Sequence, residues 1–375
     1  MKTSTPSTTD VTLFLVAAPG TEALVEAEAR AVLEGSIEAT PGGVTVCGAP
    51  ELVQRCNLWL RLPTRVLLRL GDIEARDFGK LQRGVGKLPI VRWLPRGAKI
   101  SLRASQTRSR LFHTGAIVER TAETLAHAFG LAPAGEGDGD GDGDIGTDTA
   151  HALVLRGLRD VFTVSLDTSG ALLHRRGWRT DGGAAPLRET LAAALLVLAG
   201  HRADEPLCDP MCGSGTIAIE GALRAANRAP GLDRAFAFER FVEHDAARWQ
   251  RMRDEARTHV TNGPPVFASD SDAGQLAAAR ANAQRAGVSV ELEHVPVGRA
   301  HPRAPRGLVL TNPPYGKRIG DESLALRDLR RALLGPFVAW RAGVLLPDRA
   351  RLTEMRLAQQ VPLSNGGLRV YLGQQ

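Results

Sequence analysis

Three times in the second half of the chain a short strand-like segment ends on polar residues and hands over to a helix-forming stretch. Leu207-Cys208 leads through a glycine-containing loop to a helix at 216–226, and 266–269 leads to a helix at 272–286. Gly307-Leu308-Val309-Leu310-Thr311 is followed by a predicted helix at 322–341 and a strand at 343–346. The end of the chain differs: 360–363 and 368–372 flank Asn365-Gly366, a dipeptide that favours the tight turn of a hairpin. Strand–helix alternation of this kind builds an open, mostly parallel sheet with helices on both faces, here closed by an antiparallel hairpin. The predicted fold class is α/β.

The first half reads as α+β. A strand at 11–20 ends in Pro19-Gly20, a helix follows to Leu33, and Gly42-Gly43 turns into a strand at 44–46. Helix then strand occupy 51–70, a strand is expected over 93–103, a helix over 115–129, and a hairpin from 152–155 and 161–166. Residues 135–148 are acidic and of low complexity. Asp138, Asp140, Asp142 and Gly143 imitate half a calcium loop, but its twelfth position is Thr149 where a bidentate Glu is required. The stretch is expected to be a solvated loop. No apolar run approaches the ~20 residues that cross a bilayer. The first ten residues lack the apolar centre of a secretory signal, so a disordered stub at 1–10 and a cytoplasmic location are expected. The four cysteines form no CxxC pair and no Cys/His cluster, so no metal site is expected.

Net charge is +6, and its distribution says more than its size. Between Asp77 and Glu119 there is no carboxylate, while Lys80, Arg83, Lys87, Arg92, Arg96, Lys99, Arg103, Arg108 and Arg110 all fall there. Solvated faces ordinarily mix both signs, so this stretch reads as a phosphate-binding surface in preference to a merely solvated face.

Two segments carry chemistry. Asn312-Pro313-Pro314-Tyr315 follows a strand directly. The Asn oxygen and the next backbone carbonyl can both accept from one planar NH2 group, the prolines stiffen the turn, and the Tyr ring offers a stacking face. Asp209-Pro210-Met211-Cys212-Gly213-Ser214-Gly215-Thr216 joins strand to helix, with Gly213 and Gly215 letting backbone approach a ligand at a helix start. A Rossmann dinucleotide site requires GxGxxG and an acid ~20 residues on. Residue 218 is Ala and the next candidate acid, Asp270, lies much further along, which disfavours that reading. Asp270, at the end of a strand, can accept from a ribose diol, with Asp272 placed to cap the following helix instead.

Together these pieces resemble the class I S-adenosylmethionine-dependent methyltransferases, most closely the THUMP-domain RNA guanine-N2 methyltransferases and in particular the bacterial 23S rRNA enzymes. The resemblance rests on 185–195 (APLRETLAAAL), on 209–216 with Ile219-Glu220, on Arg228-Ala229-Pro230-Gly231-Leu232, on 269–272 and on 311–316. It implies a Rossmann-like methyltransferase domain at 171–375, a ferredoxin-like subdomain at 11–70 and a THUMP RNA-binding domain at 71–170 that contains the acidic loop. It further implies that Asp209, Met211, Cys212, Gly213, Ser214 and Gly215 line the methionine side of S-adenosylmethionine, with Leu187 and Thr190 nearby, and that Asp270 and Ser271 hold the ribose side. Asn312, which also counts among the cofactor-contacting residues, and the Pro313 carbonyl would bind the target amine, with Pro314 shaping the turn and Tyr315 stacking on the ring. The family's acidic residue after the third strand is missing from Glu293-His294-Val295-Pro296-Val297, which leaves the adenine contact to His294 or a backbone group. Some relatives carry a further methyltransferase domain fused behind this one, and none is expected here after Gln375.

The expected activity is methyl transfer to guanine N2 in 23S rRNA by a monomer without metal or membrane attachment. A tRNA guanine-N2 enzyme is the nearest alternative. Adenine-N6 DNA methylation leaves the basic module unused, and a non-catalytic RNA-binding or ribosome-assembly protein leaves the two motifs unexplained.

Overall fold

A computed structural model describes residues 10–134, 150–179, 187–315 and 319–375, with backbone only for 319–323. The acidic stretch 135–148, residues 1–9 of the stub expected at 1–10, and Ala185, Pro186 and Gly316 from the family motifs lie outside the described residues. The chain divides into two compact units, one of Met1–Ala17, Val25–Leu173 and Ala235–Met252, the other of Ala18–Leu24, His174–Arg234 and Arg253–Gln375.

The first unit begins β1 (Val11–Val16), α1 (Glu22–Val32), β2 (Ser36–Thr40), β3 (Gly43–Gly48), α2 (Leu52–Trp59) and β4 (Arg65–Glu74). Strand β2 was not expected from the sequence: Ser36-Ile37-Glu38-Ala39-Thr40 is half polar, and only Pro41-Gly42 marks the turn that folds it onto β3. The unit continues α3 (Phe78–Val85), β5 (Lys99–Thr107), α4 (Thr114–Phe129), β6 (Ala132–Pro133), β7 (His151–Leu158) and β8 (Val161–Asp167). These strands form one eight-stranded sheet in the order β2-β3-β1-β4-β8-β7-β5-β6. Central β1 pairs on both sides, with Leu13 opposite Val46 and Leu68, all buried. Strand β4 runs through position 70, with a register shift against β8 between Arg69 and Gly71, so the ferredoxin-like strands and those that follow belong to one sheet. The expected strand at 93–103 starts only at Lys99, because Ile90–Arg92 is a 3-10 turn and Gly97 turns the chain at φ 82°.

A buried polar network fastens this unit. Arg65 pairs with Asp167, whose other oxygen accepts from Ser169 N at 2.8 Å, and Asn57 bridges the Thr168 and Ser169 hydroxyls at 2.8 Å each. Residues 235–252 also belong here although they fall late in sequence. Phe238 N donates to Thr168 O at 3.0 Å, and the rings of Phe236, Phe238 and Trp249 pack on one another.

The second unit contains α5 (Glu189–Leu198), β9 (Leu207–Asp209), α6 (Thr216–Ala225), the end of α7 (Ala246–Thr258, whose residues 246–252 belong to the first unit), then β10 (Val266–Asp270), α8 (Ala273–Ala286) and β11 (Glu291–His294). It ends β12 (Leu308–Thr311), α9 (Ile319–Leu334), β13 (Arg341–Leu346), α10 (Arg349–Glu354), β14 (Gln359–Asn365) and β15 (Leu368–Gln374). The helix expected at 322–341 stops at Leu334, because Gly335-Pro336 cannot carry it on, and Arg341 already lies in a strand. Strand order is β11-β10-β9-β12-β13-β15-β14; the first five are parallel, and the last two form the antiparallel hairpin. The chain winds outward from β9 to β11, then returns to place β12 on the other side of β9. That reversal opens a crevice at the strand ends between β9 and β12, where open α/β sheets bind ligands. Every residue of β9 and β12 is buried, with apolar clusters on both faces.

Candidate active site

The crevice is built from local sequence. After Asp209 the chain makes a tight loop in which Gly213 and Gly215 are both left-handed, at φ 51° and 87°. A side chain at 215 would also meet Ala279 at 3.1 Å, so Gly215 lets α6 start hard against α8. The loop is stitched to the neighbouring strand: Cys212 N donates to Ser269 O at 3.0 Å and Gly213 N to Asp270 Oδ2 at 2.8 Å. From behind, buried Asn282 of α8 donates to Ser214 O at 3.0 Å.

Asp272 caps α8, accepting from Gly274 N at 2.7 Å and Gln275 N at 3.1 Å. Asp270 is thereby spared that task. Its carboxylate accepts Gly213 N on one oxygen and Asp272 N on the other, and each oxygen keeps a further lone pair. Ser271 beside it is exposed, and its carbonyl meets His294 Nε2 at 3.0 Å. Ala273, Leu276, Ala277, Leu292 and His294 help line a groove of about 440 Å3 on this side.

Across the crevice, Thr311 ends β12 and donates its hydroxyl to Asp209 Oδ1 at 2.7 Å. This bond ties the glycine loop to the Asn312 turn. Burial pushes the Asp209 carboxyl up to about 7, against the Thr311 hydroxyl and the Met211 N–H; the charge of Asp270 adds to the rise. Asn312 Oδ1 is buried and has no hydrogen-bond partner among the described residues. An unpaired buried acceptor is costly, and groups left in that state need a reason. Pro313 is buried and Pro314 exposed. Tyr315 is half-buried against both apolar clusters, and its hydroxyl accepts from Asn365 Nδ2 at 2.8 Å.

Leu187 and Thr190 are buried around the start of α5. Arg179 joins that end to α6: it donates to Leu187 O at 3.1 Å, hydrogen-bonds the Thr216 hydroxyl and pairs with Glu189 at 3.4 Å. Burial raises the Glu189 carboxyl to about 7, with Arg179 pulling it down. Cys208 and Cys212 have their thiols pushed upward by burial, which makes neither a nucleophile at neutral pH. Trp178 is buried against Ile219, Leu223, Ala283 and Ala286.

The nine cations lie in the first unit and are not equivalent. Lys80, Arg83, Lys87, Arg96, Lys99, Arg108 and Arg110 are exposed, while Arg103 on β5 is half-buried. Arg92 has a counter-charge after all: Glu243, from the late segment, pairs with it at 2.7 Å, and its guanidinium lies 4.6 Å from the Trp93 ring centre.

Residues 176–345 match the sequence family of RMKL-like methyltransferase domains. That part of the chain is similar to RMKL-like methyltransferase domains. Residues 12–67 match the RlmL ferredoxin-like domain, so the arrangement in front of the methyltransferase domain also has a family counterpart. Among solved structures, SMU.472, crystallised in complex with SAH, is 29% identical, with a TM-score of 0.84 over 98% of each chain. A predicted N6-adenine-specific DNA methylase from Listeria monocytogenes is 28% identical, with a TM-score of 0.86 over 97% of this chain and 96% of that one. TrmN from Thermus thermophilus, at 21% identity and a TM-score of 0.69 over 97% of this chain and 100% of that one, shares the fold.

Four residues of the methyltransferase domain's crevice were not singled out from the sequence: Thr311, Arg179, Asn282 and Asn365. Thr311 carried a signal, a hydroxyl closing an apolar strand beside Asn312. The others meet their partners only through the fold. Asn365→Ala is expected to lower turnover while leaving affinity for S-adenosylmethionine unchanged. In a Tyr315→Phe background the same substitution should add nothing, because the hydroxyl it holds is gone. Additive losses in that double-mutant cycle would show that Asn365 acts elsewhere.

Proposed function

We propose that this chain transfers a methyl group from S-adenosylmethionine to the exocyclic N2 of a guanine in RNA, with 23S rRNA as the substrate and tRNA as the alternative. The observation that carries the reading is the buried Asn312 Oδ1 at the strand switch, without a partner among the described residues and tied to the glycine loop through Thr311 and Asp209. An acceptor left open there suits a substrate N–H.

The residues present fit the methyl donor. Asp209 and the loop Met211 to Gly215, with Leu187 and Thr190, would hold its methionine end, and Asp270 and Ser271 its ribose. When bound, S-adenosylmethionine supplies a methyl carbon on a sulfonium and leaves as a neutral thioether. Asn312 Oδ1 and the Pro313 carbonyl accept the two amine N–H groups, which favours a pyramidal nitrogen and frees its lone pair from the ring. Tyr315 presents its face to the base, worth roughly 1–3 kcal/mol against the cost of unstacking it. After transfer the nitrogen sheds its proton to water, so no residue has to act as general base. The exposed cations of the first unit provide phosphate contacts that hold RNA irrespective of sequence.

The test is methylation by the purified chain of undermethylated 23S rRNA, tRNA and duplex DNA, read by mass spectrometry of the nucleosides. N2-methylguanosine in 23S rRNA is expected. N6-methyladenine in DNA would replace the guanine reading, and donor binding without transfer to any of the three would point to an RNA-binding or assembly role.

A further inference from the structure

Phe112 is 62% exposed, in a loop that the rest of the first unit holds firmly. Leu111 beside it is buried, Arg110 N donates to Asp160 Oδ1 at 2.7 Å, Asp160 N donates to Ser109 Oγ at 3.1 Å, and Arg159 N donates to Thr107 O at 3.1 Å. The ring is therefore presented to solvent by a pinned backbone. Its centre lies 4.1 Å from that of exposed His113, the planes tilted by 41°. A large apolar ring held out in this way is poorly placed for stability and well placed to receive another flat surface.

Charge identifies the partner. Arg108, Arg110 and Arg159 are exposed on the same pinned loops that carry the ring. The carboxylate of Asp160 is already taken, by Arg110 N on one oxygen and by Arg76 at 3.3 Å on the other. Aromatic faces set among cations suit single-stranded nucleic acid, whose bases stack while its phosphates pair. We infer that Phe112, backed by His113 and flanked by Arg108, Arg110 and Arg159, is a stacking platform for an unpaired base of the RNA substrate. The site is separate from the Asn312 crevice in the fold, and it rests on RNA being the substrate class proposed above. Only a nucleotide outside a duplex can use it, so it selects for a loop, bulge or strand end.

The test measures binding of the full chain to a fluorescein-labelled 12-nucleotide single-stranded RNA and to the same strand annealed to its complement. Phe112→Ala is expected to weaken single-strand binding by roughly 5–150-fold, the equivalent of one lost base stack, while duplex binding stays unchanged. Phe112→Tyr keeps a stacking face and should restore most of the affinity. Thermal denaturation of both variants should match the wild type, since the side chain is exposed. Unchanged single-strand binding in Phe112→Ala, or equal losses for both probes, overturns the platform while leaving RNA as the substrate. Wild-type protein that binds neither probe removes the RNA reading itself, and the platform with it.

Discussion

Asn312→Ala should lower kcat by about 10²- to 10³-fold, the usual cost of deleting one aimed polar partner from a reacting centre. Affinity for S-adenosylmethionine, measured by calorimetry, should stay near wild type. The reason is the division of labour across the crevice. The glycine loop is held by Ser269, Asp270 and Asn282, and Asn312 takes no part in those bonds. Removing its side chain deletes an acceptor that has no partner among the described residues, so the protein itself loses little. Asn312→Asp keeps an acceptor in the same place and should lose less turnover than alanine. If kcat and donor affinity fell together, Asn312 would belong to the donor site and the amine assignment would fail.

The largest stability effect is expected at Arg176 and Glu220, which pair at 3.3 Å with side chains 2% and 0% exposed. Glu220→Leu removes a buried charge partner from the Arg176 guanidinium, at a cost of about 3–5 kcal/mol. For a unit of this size that corresponds to a Tm lower by roughly 6–20 °C in thermal denaturation. Adding Arg176→Met should recover most of the loss, because an apolar pair carries no desolvation penalty. The double variant discriminates a charge effect from a packing effect: failure to recover would mean that shape, not charge, decides the site. A Glu220→Leu protein as stable as wild type would show that the pair is solvated in solution.

The pair also explains how the crevice is supported. Glu220 lies on α6, which begins at Gly215-Thr216, and Arg179 reaches from the same segment as Arg176 to Thr216 and to the start of α5. Two arginines three positions apart thus hold the two helices whose first turns face the site. Neither residue would be chosen from the sequence, because an Arg-rich stretch reads as a solvated or RNA-facing surface until its partners are known.

What could be read without coordinates was local. The glycine loop after Asp209, the cap at Asp272 and the Asn312 turn are each specified by residues within a few positions, through φ preferences, side-chain-to-backbone bonds and proline rigidity. The alternation of strand and helix, and the closing hairpin, were legible for the same reason. Misreadings were local as well: the half-polar strand β2 went unseen, and Gly335-Pro336 ended a helix that apolar spacing would have continued.

The tertiary structure decided everything that joins distant positions. Thr311 reaches Asp209 only because β12 returns to lie beside β9, and Asn365 reaches Tyr315 only through the fold. Glu243 found Arg92 because a late segment packs into the first unit. Strand order is set by burying both faces of a sheet at once, a sum over many non-local contacts that no short run of residues encodes. Chemistry was therefore written in the motifs, while the side chains that aim and support it were chosen by topology.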